Sequence, residues 1–305
     1  MTKAIAVTVI GAGLMGHGIA QVFARAGHEV VITDPNPEVL GAALGRVERN
    51  LQAEGVDAAR VLCNLSVEPR LQAALAHADL VIEAAPEKLE LKQKLFAEVA
   101  AAAPAHAVLA SNTSVIPITR IGEHLPDPVR ARLVGTHWWN PPHLVPLVEV
   151  VRTAHTRADV FEQTFAWLEA AGKRPVKVQR DVIGFIGNRL QHALWREAIA
   201  LVEDGVCDAE AIDLVVKNSF GMRLPVLGPM ENADLVGLEL TRDVHRVMFP
   251  DLHCDKAPSS LLDRLIGAGH AGMKSGQGLR AWTPEQAQAV HEGLARHLIR
   301  MLEAR

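Results

Sequence analysis

Apolar and polar positions follow two different patterns along the chain. In the first half, short β-branched and apolar runs alternate with longer stretches in which apolar residues recur every three or four positions. Such alternation predicts βαβ units and a mainly parallel sheet. The predicted strands are residues 4–10, 29–33, 80–83, 108–111, 133–136, 147–151 and 175–179, and the predicted helices among them are 15–26, 37–54, 89–103 and 157–171.

The pattern changes after the last of these strands. Residues 185–202, 208–218, 259–268 and 284–302 have helical periodicity, and no convincing strand pattern separates them. The sequence therefore predicts an α/β, doubly wound domain over residues 1–183, followed by an all-helical C-terminal domain over residues 184–305.

Composition and charge narrow the possible classes of protein. The chain has 305 residues, of which 49% are hydrophobic and 22% charged, as in globular proteins. Its formal net charge of −4 gives no electrostatic basis for binding nucleic acid or an anionic membrane. No apolar run reaches the roughly 18 residues of a membrane span, and we expect no leader segment. The three widely spaced cysteines predict neither disulfides nor a metal site, so we expect a cytoplasmic protein.

A glycine-rich turn follows the first predicted strand. It has the sequence Gly-Ala-Gly-Leu-Met-Gly and leads directly into a helix. Gly11 permits the tight turn, Gly13 lets a pyrophosphate approach the backbone, and Gly16 lets the helix pack closely on the strand. The free N–H groups around Leu14 and Met15 favour a phosphate at the helix start. The turn predicts a dinucleotide site in a Rossmann-type fold; the alternative is a glycine-rich turn without a ligand.

An acidic residue ends the second predicted strand. Asp34 follows Gly16 at close to the spacing of about 20 residues that a ribose-binding acid takes in dinucleotide sites. A carboxylate there binds the ribose hydroxyls and repels a 2′-phosphate, and no arginine stands beside it in the sequence. We therefore expect NAD rather than NADP as the cofactor.

A histidine and a glutamate flank a proline-rich turn. His137 follows one apolar run and Glu149 lies inside the next, with Asn140 and two prolines between them. A turn that folds back brings the two side chains together. Imidazole has the ordinary pKa that a base needs near neutral pH, and a carboxylate behind it fixes its tautomer. The pair predicts the base of a dehydrogenase; the alternative is a buried structural pair.

Four separated motifs resemble those of one family. They are the glycine-rich turn, residues 110–114 (Ala-Ser-Asn-Thr-Ser), residues 137–149, and residues 184–189 (Gly-Phe-Ile-Gly-Asn-Arg). Over nearly its whole length the chain resembles the 3-hydroxyacyl-CoA dehydrogenase family. This family includes short-chain L-3-hydroxyacyl-CoA dehydrogenases and relatives acting on free acids, such as L-gulonate 3-dehydrogenase (λ-crystallin).

The resemblance implies roles for single residues. It implies His137 as the catalytic general acid and base, and Glu149 as the carboxylate that orients it. It implies Ser114 and Asn188 as polar groups around the substrate oxygen, where neutral donors stabilise a developing alkoxide. Further implied cofactor contacts or site-organising groups are Asn140, Glu87, Lys92 and Lys274. For the last three, the alternative is a solvated charge on a helix face or loop.

Two segments depart from the acyl-CoA members of the family. Those members carry a long lysine-rich helical excursion that meets CoA, whereas residues 51–57 are short and acidic and offer no cation for its phosphates. The stretch that begins Gly221-Met-Arg223 resembles the free-acid relatives instead. We expect Arg223 to bind a free carboxylate of the substrate through two parallel hydrogen bonds. The alternative is an ion pair with Glu231 or Asp234.

The expected function is reversible, NAD-dependent oxidation of a 3-hydroxy carboxylic compound, preferably a free acid, to its 3-keto product by hydride transfer. One alternative is a 3-hydroxyacyl-CoA dehydrogenase, such as 3-hydroxybutyryl-CoA dehydrogenase, of acyl-CoA degradation. Another, from a different class, is a non-enzymatic NAD-binding protein of the crystallin type. The expected partners are a small-molecule substrate and a second subunit, because the family forms homodimers through the helical domain.

Overall fold

The computed structural model describes residues 3–303, which form eight β-strands, sixteen α-helices and one 3-10 helix. The strands are β1 (Ala6–Ile10), β2 (Glu29–Thr33), β3 (Leu65–Val67), β4 (Leu80–Glu83), β5 (Val108–Ser111), β6 (Leu133–Trp138), β7 (Leu147–Val151) and β8 (Arg174–Val178). The helices are α1 (Leu14–Arg25), α2 (Pro37–Gly41), α3 (Ala43–Ala53), α4 (Ala58–Leu62), α5 (Leu71–Leu75), α6 (Leu89–Ala102), α7 (Ile118–Ile121), α8 (Asp127–Arg130), α9 (Ala158–Ala170), α10 (Gly187–Glu203), α11 (Ala209–Asn218), α12 (Phe220–Arg223), α13 (Pro229–Val236), α14 (Leu238–Met248), α15 (Ser260–Gly267) and α16 (Pro284–Glu303). The 3-10 helix is Met273–Ser275.

All eight strands belong to one sheet, in the order β3-β2-β1-β4-β5-β6-β7-β8. Strands β1 to β6 are parallel to one another, β7 is antiparallel to β6, and β8 is parallel to β7. The first six strands have the order 3-2-1-4-5-6 of the doubly wound dinucleotide-binding fold, whose ligands bind at the carboxyl ends of the strands. The predicted Rossmann-type sheet followed by helices is confirmed.

Two buried apolar clusters cover opposite faces of the sheet. Along β4, Leu80 and Ile82 belong to the cluster that contains Phe23, whereas Val81 belongs to the one that contains Phe96. Successive side chains of a strand point to opposite faces, so each cluster fills one side. Burial on both faces explains why the strands are continuous apolar runs rather than alternating patterns.

Several elements differ from the sequence prediction, which did not include the helices α4, α5, α7, α8, α12, α13 and α14. The helix predicted over residues 37–54 is interrupted, because α2 ends at Gly41 and α3 begins at Ala43. Glycine is a weak helix former, which is consistent with a break at this point. Strand β3 was not predicted; its three residues include only one that is buried, which is too short a pattern to distinguish from a loop.

The chain divides into two compact units. The first contains the residues up to Arg189 together with those from Ala295 onward, and the second contains Leu190–Leu294. The chain passes between them inside α10 and again inside α16. The boundary predicted at residue 183 stays a prediction. No helix in the described part of the chain is both long and apolar enough to cross a membrane.

The second unit exposes many apolar side chains. Ala200 is the one residue of Leu190–Leu294 that is buried. Along α14, Leu240, Val244 and Val247 are 58%, 48% and 74% exposed. Residues at this spacing lie on the same helix face, so they form an exposed apolar stripe. Exposed apolar surface is typical of sites at which proteins bind a partner.

Candidate active site

The glycine-rich turn connects β1 to α1. Gly11 has φ of +99°, and a Cβ on it would lie 2.7 Å from the carbonyl oxygen of Ala84. A Cβ on Gly16 would lie 1.7 Å from the carbonyl oxygen of Gly11, so the helix and strand meet as predicted only with glycine. At Gly13 no described atom beyond the adjoining residues lies within 4 Å of the Cβ position, which leaves room for a ligand. No side chain caps the start of α1, so its free N–H groups can bind a phosphate.

Asp34 lies beside this turn, directly after β2. Its Oδ2 accepts a hydrogen bond from the N–H of Ala12 and its Oδ1 one from the N–H of Asn36, each 2.8 Å long. A carboxylate oxygen accepts more than one hydrogen bond, so acceptor capacity remains for ribose hydroxyls. Arg46 on α3 donates to the carbonyl oxygen of Ala12 at 3.1 Å. Sequence reasoning missed Arg46 because it considered only arginines next to Asp34 in the chain.

His137 and Glu149 lie directly opposite each other on the antiparallel strands β6 and β7. Opposed residues of such a pair share one face of the sheet. Nδ1 of His137 is 2.7 Å from Oε2 of Glu149, and both residues are buried. Oε1 of Glu149 accepts hydrogen bonds from the N–H groups of Ile186 (2.8 Å) and Gly187 (3.0 Å) at the start of α10. One carboxylate therefore holds both the imidazole ring and the start of a helix.

The charge of Glu149 determines the tautomer of His137. Burial by itself raises the pKa of Glu149, but hydrogen bonds from His137, Gly187 and Ile186 outweigh it and leave the pKa below its ordinary value. Because an ionised carboxylate only accepts hydrogen bonds, Nδ1 of His137 carries the proton. In the neutral ring Nε2 is then the acceptor nitrogen, and no residue between 3 and 303 hydrogen-bonds to it.

Aromatic rings enclose the imidazole of His137. Their centroids lie 5.3 Å away for Trp139 and 5.7 Å away for Phe185. Phe185 is buried with φ of +50°, a conformation that costs energy in a non-glycine residue and is typical of functional sites. A Cβ on Gly187 would lie 2.4 Å from the Trp139 ring, so glycine lets this ring pack against the helix start. Phe185 lies in one of the four motifs, but its backbone strain leaves no pattern in composition, and the helix predicted from residue 185 begins at Gly187 instead.

Ser114 and Asn188 are joined by a hydrogen bond. The Nδ2 of Asn188 donates to the carbonyl oxygen of Ser114 at 2.8 Å. Ser114 is exposed in the loop after β5, and Asn188 belongs to the first turn of α10. Since Glu149 binds the N–H of the neighbouring Gly187, the structure brings Ser114 and Asn188 into one connected group with His137 and Glu149.

Glu87 also contacts the loop that carries Ser114. Its Oε1 accepts hydrogen bonds from the Thr113 hydroxyl (2.6 Å) and from the N–H groups of Ser114 (2.8 Å) and Val115 (3.0 Å). Burial raises the pKa of Glu87, but these hydrogen bonds and the charge of Lys92 together leave it below its ordinary value. Glu87 is therefore an ionised, partly exposed side chain whose hydrogen bonds hold the loop.

Lys92 is fully buried. Its Nζ lies 2.6 Å from Oε1 of Glu83, 3.3 Å from Oε2 of Glu87 and 3.3 Å from the carbonyl oxygen of Ala85. An ammonium group has three N–H donors, and three acceptors surround this one. A direct contact with the cofactor, which the resemblance implied, would require one of these bonds to break. Glu83 was missed because it ends an apolar strand and lies in none of the four motifs.

The turn between β6 and β7 is anchored by a buried lysine. Nζ of Lys173 donates to the carbonyl oxygens of Pro142 and, at 2.9 Å, Val145. Burial lowers the pKa of Lys173 to about 8. His143 in the same turn is half-buried, and burial lowers its pKa to about 4, so its ring is neutral at neutral pH. These contacts fix the turn that carries Asn140.

The remaining predicted residues are exposed. Asn140 lies in the turn after β6, and Lys274 and Arg223 belong to the second unit. Among the described residues, Arg223 forms no ion pair, and Oε2 of Glu231 instead accepts a hydrogen bond from the N–H of Gly228 at 2.7 Å. Within residues 3–303, no three His, Cys, Asp or Glu side chains are arranged to hold a metal ion.

Fold and site together define a dinucleotide-dependent dehydrogenase. Residues 6–182 match the family model for the 3-hydroxyacyl-CoA dehydrogenase NAD-binding domain, and residues 184–282 match the model for the C-terminal domain of the same family. The chain belongs to the 3-hydroxyacyl-CoA dehydrogenase family, as its motifs predicted. It is an NAD-dependent oxidoreductase that acts on a hydroxyl group.

Individual relatives differ in substrate. The chain is 35% identical over 306 residues to 5-formyl-3-hydroxy-2-methylpyridine 4-carboxylate 5-dehydrogenase of Mesorhizobium japonicum, covering 98% of each chain. It is 38% identical over 280 residues to a probable 3-hydroxybutyryl-CoA dehydrogenase of Bacillus subtilis, covering 89% of this chain and 95% of the relative. A crystal structure of the pyridine carboxylate dehydrogenase, described as an NAD⁺-dependent dismutase, matches with a TM-score of 0.90 and 34% identity over 99% of this chain and 100% of that one.

The position of Asp34 generates a prediction about cofactor preference. Asp34→Ser should raise the Kd for NADH about tenfold, roughly 1.4 kcal/mol, because the ribose hydroxyls lose a charged acceptor. The variant should also bind NADH and NADPH with more similar Kd values, because the negative charge that repels a 2′-phosphate is gone. Fluorescence titration with both nucleotides measures the change. Asp57→Ser, at the N-cap of α4, is the matched control. A wild type that binds NADPH more tightly than NADH would contradict the ribose argument.

Proposed function

We propose that this enzyme reversibly oxidises the hydroxyl group of a small free carboxylic acid, a 3-hydroxy acid above all, to the keto acid. NAD, when bound, supplies the hydride acceptor. The observation that carries the proposal is the buried His137–Glu149 pair, whose geometry leaves Nε2 of the ring as an acceptor. Oxidation of an alcohol requires such a base, because the hydroxyl proton leaves as the hydride leaves the same carbon.

In this proposal the proton passes between the substrate hydroxyl and Nε2 of His137. Glu149 stays ionised and stabilises the imidazolium that forms, while its bond to Nδ1 keeps the ring oriented. The hydroxyl of Ser114 and the amide of Asn188 lie on the neighbouring loop and helix start, where they serve as neutral donors to the substrate oxygen. In the reverse direction Nε2 returns the proton to the alkoxide.

Two observations favour a free acid over a CoA thioester. The full-length relative in Mesorhizobium japonicum is named for a small carboxylate, and its crystal structure matches this fold with a TM-score of 0.90. Residues 51–57 contain no lysine or arginine. Glu54 in that stretch accepts hydrogen bonds from Gln21 (2.6 Å) and Arg25 (2.7 Å) on α1, so the segment itself offers a carboxylate that is already paired and no cation for CoA phosphates. The Bacillus subtilis relative supports a CoA ester as the alternative.

We further infer that the second unit is covered by a second copy of the chain. A segment with one buried residue has no hydrophobic core of its own, and a domain without a core is not stable in water. Symmetric pairing of one surface patch on two identical chains is the commonest way in which such surface is buried. The apolar stripe of Leu240, Val244 and Val247 provides a patch of this kind.

Replacement of the base generates the central prediction. His137→Gln should lower kcat by about 10²- to 10⁴-fold, the usual contribution of general acid–base catalysis, and leave the Kd for NADH unchanged. Glu149→Gln should lower kcat less, because the ring keeps a hydrogen bond but loses the charge that stabilises the imidazolium. Steady-state kinetics with a fluorescence titration of NADH measure both values. His124→Gln, at an exposed position, is the control. A folded His137→Gln enzyme with near wild-type kcat would refute the assignment.

The substrate class is tested by a three-compound panel. NADH formation is compared for 3-hydroxybutyrate, 5-formyl-3-hydroxy-2-methylpyridine 4-carboxylate and 3-hydroxybutyryl-CoA. The pyridine compound bears its hydroxyl on an aromatic carbon without hydrogen, so hydride can leave only from its formyl group, and a preference for this compound would contradict oxidation of an alcohol. We expect 3-hydroxybutyrate to have the highest kcat/KM. Arg223→Met should raise KM for that acid about 10- to 100-fold, the cost of a lost charge-assisted pair, and Arg223→Lys should recover part of it. Arg196→Met is the control. Preference for the CoA ester, with KM unchanged in Arg223→Met, would favour the alternative.

The proposed homodimer is tested by molar mass in solution. Light scattering coupled to size exclusion at micromolar concentration should give twice the chain mass of 32.9 kDa. Val247→Glu should produce monomers or lower the melting temperature, because it places a charge in an apolar interface. Val67→Glu changes an exposed valine of β3, outside the second unit, and is the control. A monomeric wild type would contradict the inference.

A further inference from the structure

A buried ion pair lies next to the loop that carries Ser114. Glu83 ends β4, Lys92 belongs to the first turn of α6, and both side chains are fully buried, with 2.6 Å between Nζ and Oε1. The hydroxyl of Ser111, the last residue of β5, donates to Oε2 of Glu83 at 2.6 Å. The N–H of Ala85 donates to Oε1 at 2.7 Å. Glu83 therefore ties together the carboxyl ends of two neighbouring strands.

Lys92 extends this pair to a second carboxylate. Its Nζ lies 3.3 Å from Oε2 of Glu87. The other oxygen of Glu87 accepts the three hydrogen bonds from residues 113–115, including that from the N–H of Ser114. A continuous path therefore runs from Glu83 through Lys92 and Glu87 to the backbone at Ser114.

We propose that Glu83 and Lys92 are positioning residues of the dehydrogenase reaction: their buried ion pair fixes Glu87, and Glu87 holds the loop so that the Ser114 hydroxyl faces the substrate oxygen. This inference rests on the proposed function, because it requires Ser114 to act on the substrate. Neither Glu83 nor Lys92 contacts the substrate, since both are buried and their polar atoms are bonded within the network.

The cation is the member that the positioning role requires. Replacing a buried ion pair by neutral groups of similar size is often neutral for stability, whereas removing one partner leaves an unpaired buried charge. A pair that served stability alone would be replaceable as a unit without loss of activity. Lys92, however, also bonds Glu87. Replacing Glu83 and Lys92 by neutral residues therefore deprives Glu87 of its one cationic partner within the described residues.

One single and one double variant distinguish a positioning role of the ion pair from a role in stability alone. Lys92→Met should lower both the melting temperature and kcat, because it leaves Glu83 unpaired and Glu87 unanchored. Glu83→Gln combined with Lys92→Met should restore most of the melting temperature but leave kcat about 10- to 100-fold below wild type, as expected for a misplaced catalytic group. Lys94→Met, at an exposed position on the same helix, is the matched control. The assays use NAD with the compound of the three-member panel that has the highest kcat/KM, and fluorescence titration gives the Kd for NADH.

A double-mutant cycle assigns the effect to Ser114. Ser114→Ala should by itself lower kcat, and adding the Glu83→Gln, Lys92→Met pair should then cost less than threefold more, because the group being positioned is absent. Full recovery of kcat in the double variant, or full additivity with Ser114→Ala, would overturn the positioning role while the proposed function stands. A wild-type kcat in Ser114→Ala would instead remove Ser114 from the proposed function and the inference with it.

Discussion

The carboxylate of Glu149 is the group on which the arrangement of the site depends. Its two oxygens hold two different parts of the chain: Oε2 binds Nδ1 of His137, and Oε1 binds the N–H groups of Ile186 and Gly187. These N–H groups belong to the start of α10, where an anion is favoured by the helix dipole. Without this charge, the orientation of the ring and the entry of the chain into α10 would no longer be coupled. The strained backbone of Phe185 persists beside these bonds because the surrounding contacts fix it.

The two carboxylate oxygens of Glu87 also bind two different parts of the chain, as those of Glu149 do. One of its oxygens faces the Lys92 ammonium, and the other binds the N–H groups of Ser114 and Val115. Each carboxylate thus joins one side chain to a stretch of backbone that carries a polar group of the site. The bond from Asn188 to the Ser114 carbonyl connects the two halves. The position of the Ser114 loop relative to the start of α10 is therefore fixed by the hydrogen bonds of Glu149, those of Glu87 and the bond between Asn188 and Ser114.

Sequence reasoning predicted the parts that local chemistry determines. The glycine-rich turn and Asp34 follow from spacing, and the structure gives them the geometry that the spacing requires. The pairing of His137 with Glu149 was a hypothesis from sequence, since it depends on β7 turning antiparallel to β6, and the structure brings the two side chains within hydrogen-bond distance. The partners of Lys92 were not predictable, because Glu83 looks like the end of an ordinary buried strand. Burial of a charge depends on tertiary contacts, which a single sequence does not display.

The carboxylates of Glu149 and Glu87 both have a lowered pKa. The pKa of each lies below its ordinary value, although burial alone raises both. A carboxyl group with a lowered pKa in the folded state stabilises the protein above its unfolded pKa, and this stabilisation is lost only as the pH falls through the folded pKa. Glu149 and Glu87 therefore keep their charge throughout the neutral range. The charge on Glu149 faces the His137 ring, whereas the charge on Glu87 faces the buried Nζ of Lys92. In the proposed reaction, proton transfer would change the charge of His137, while Glu149 and Glu87 keep theirs.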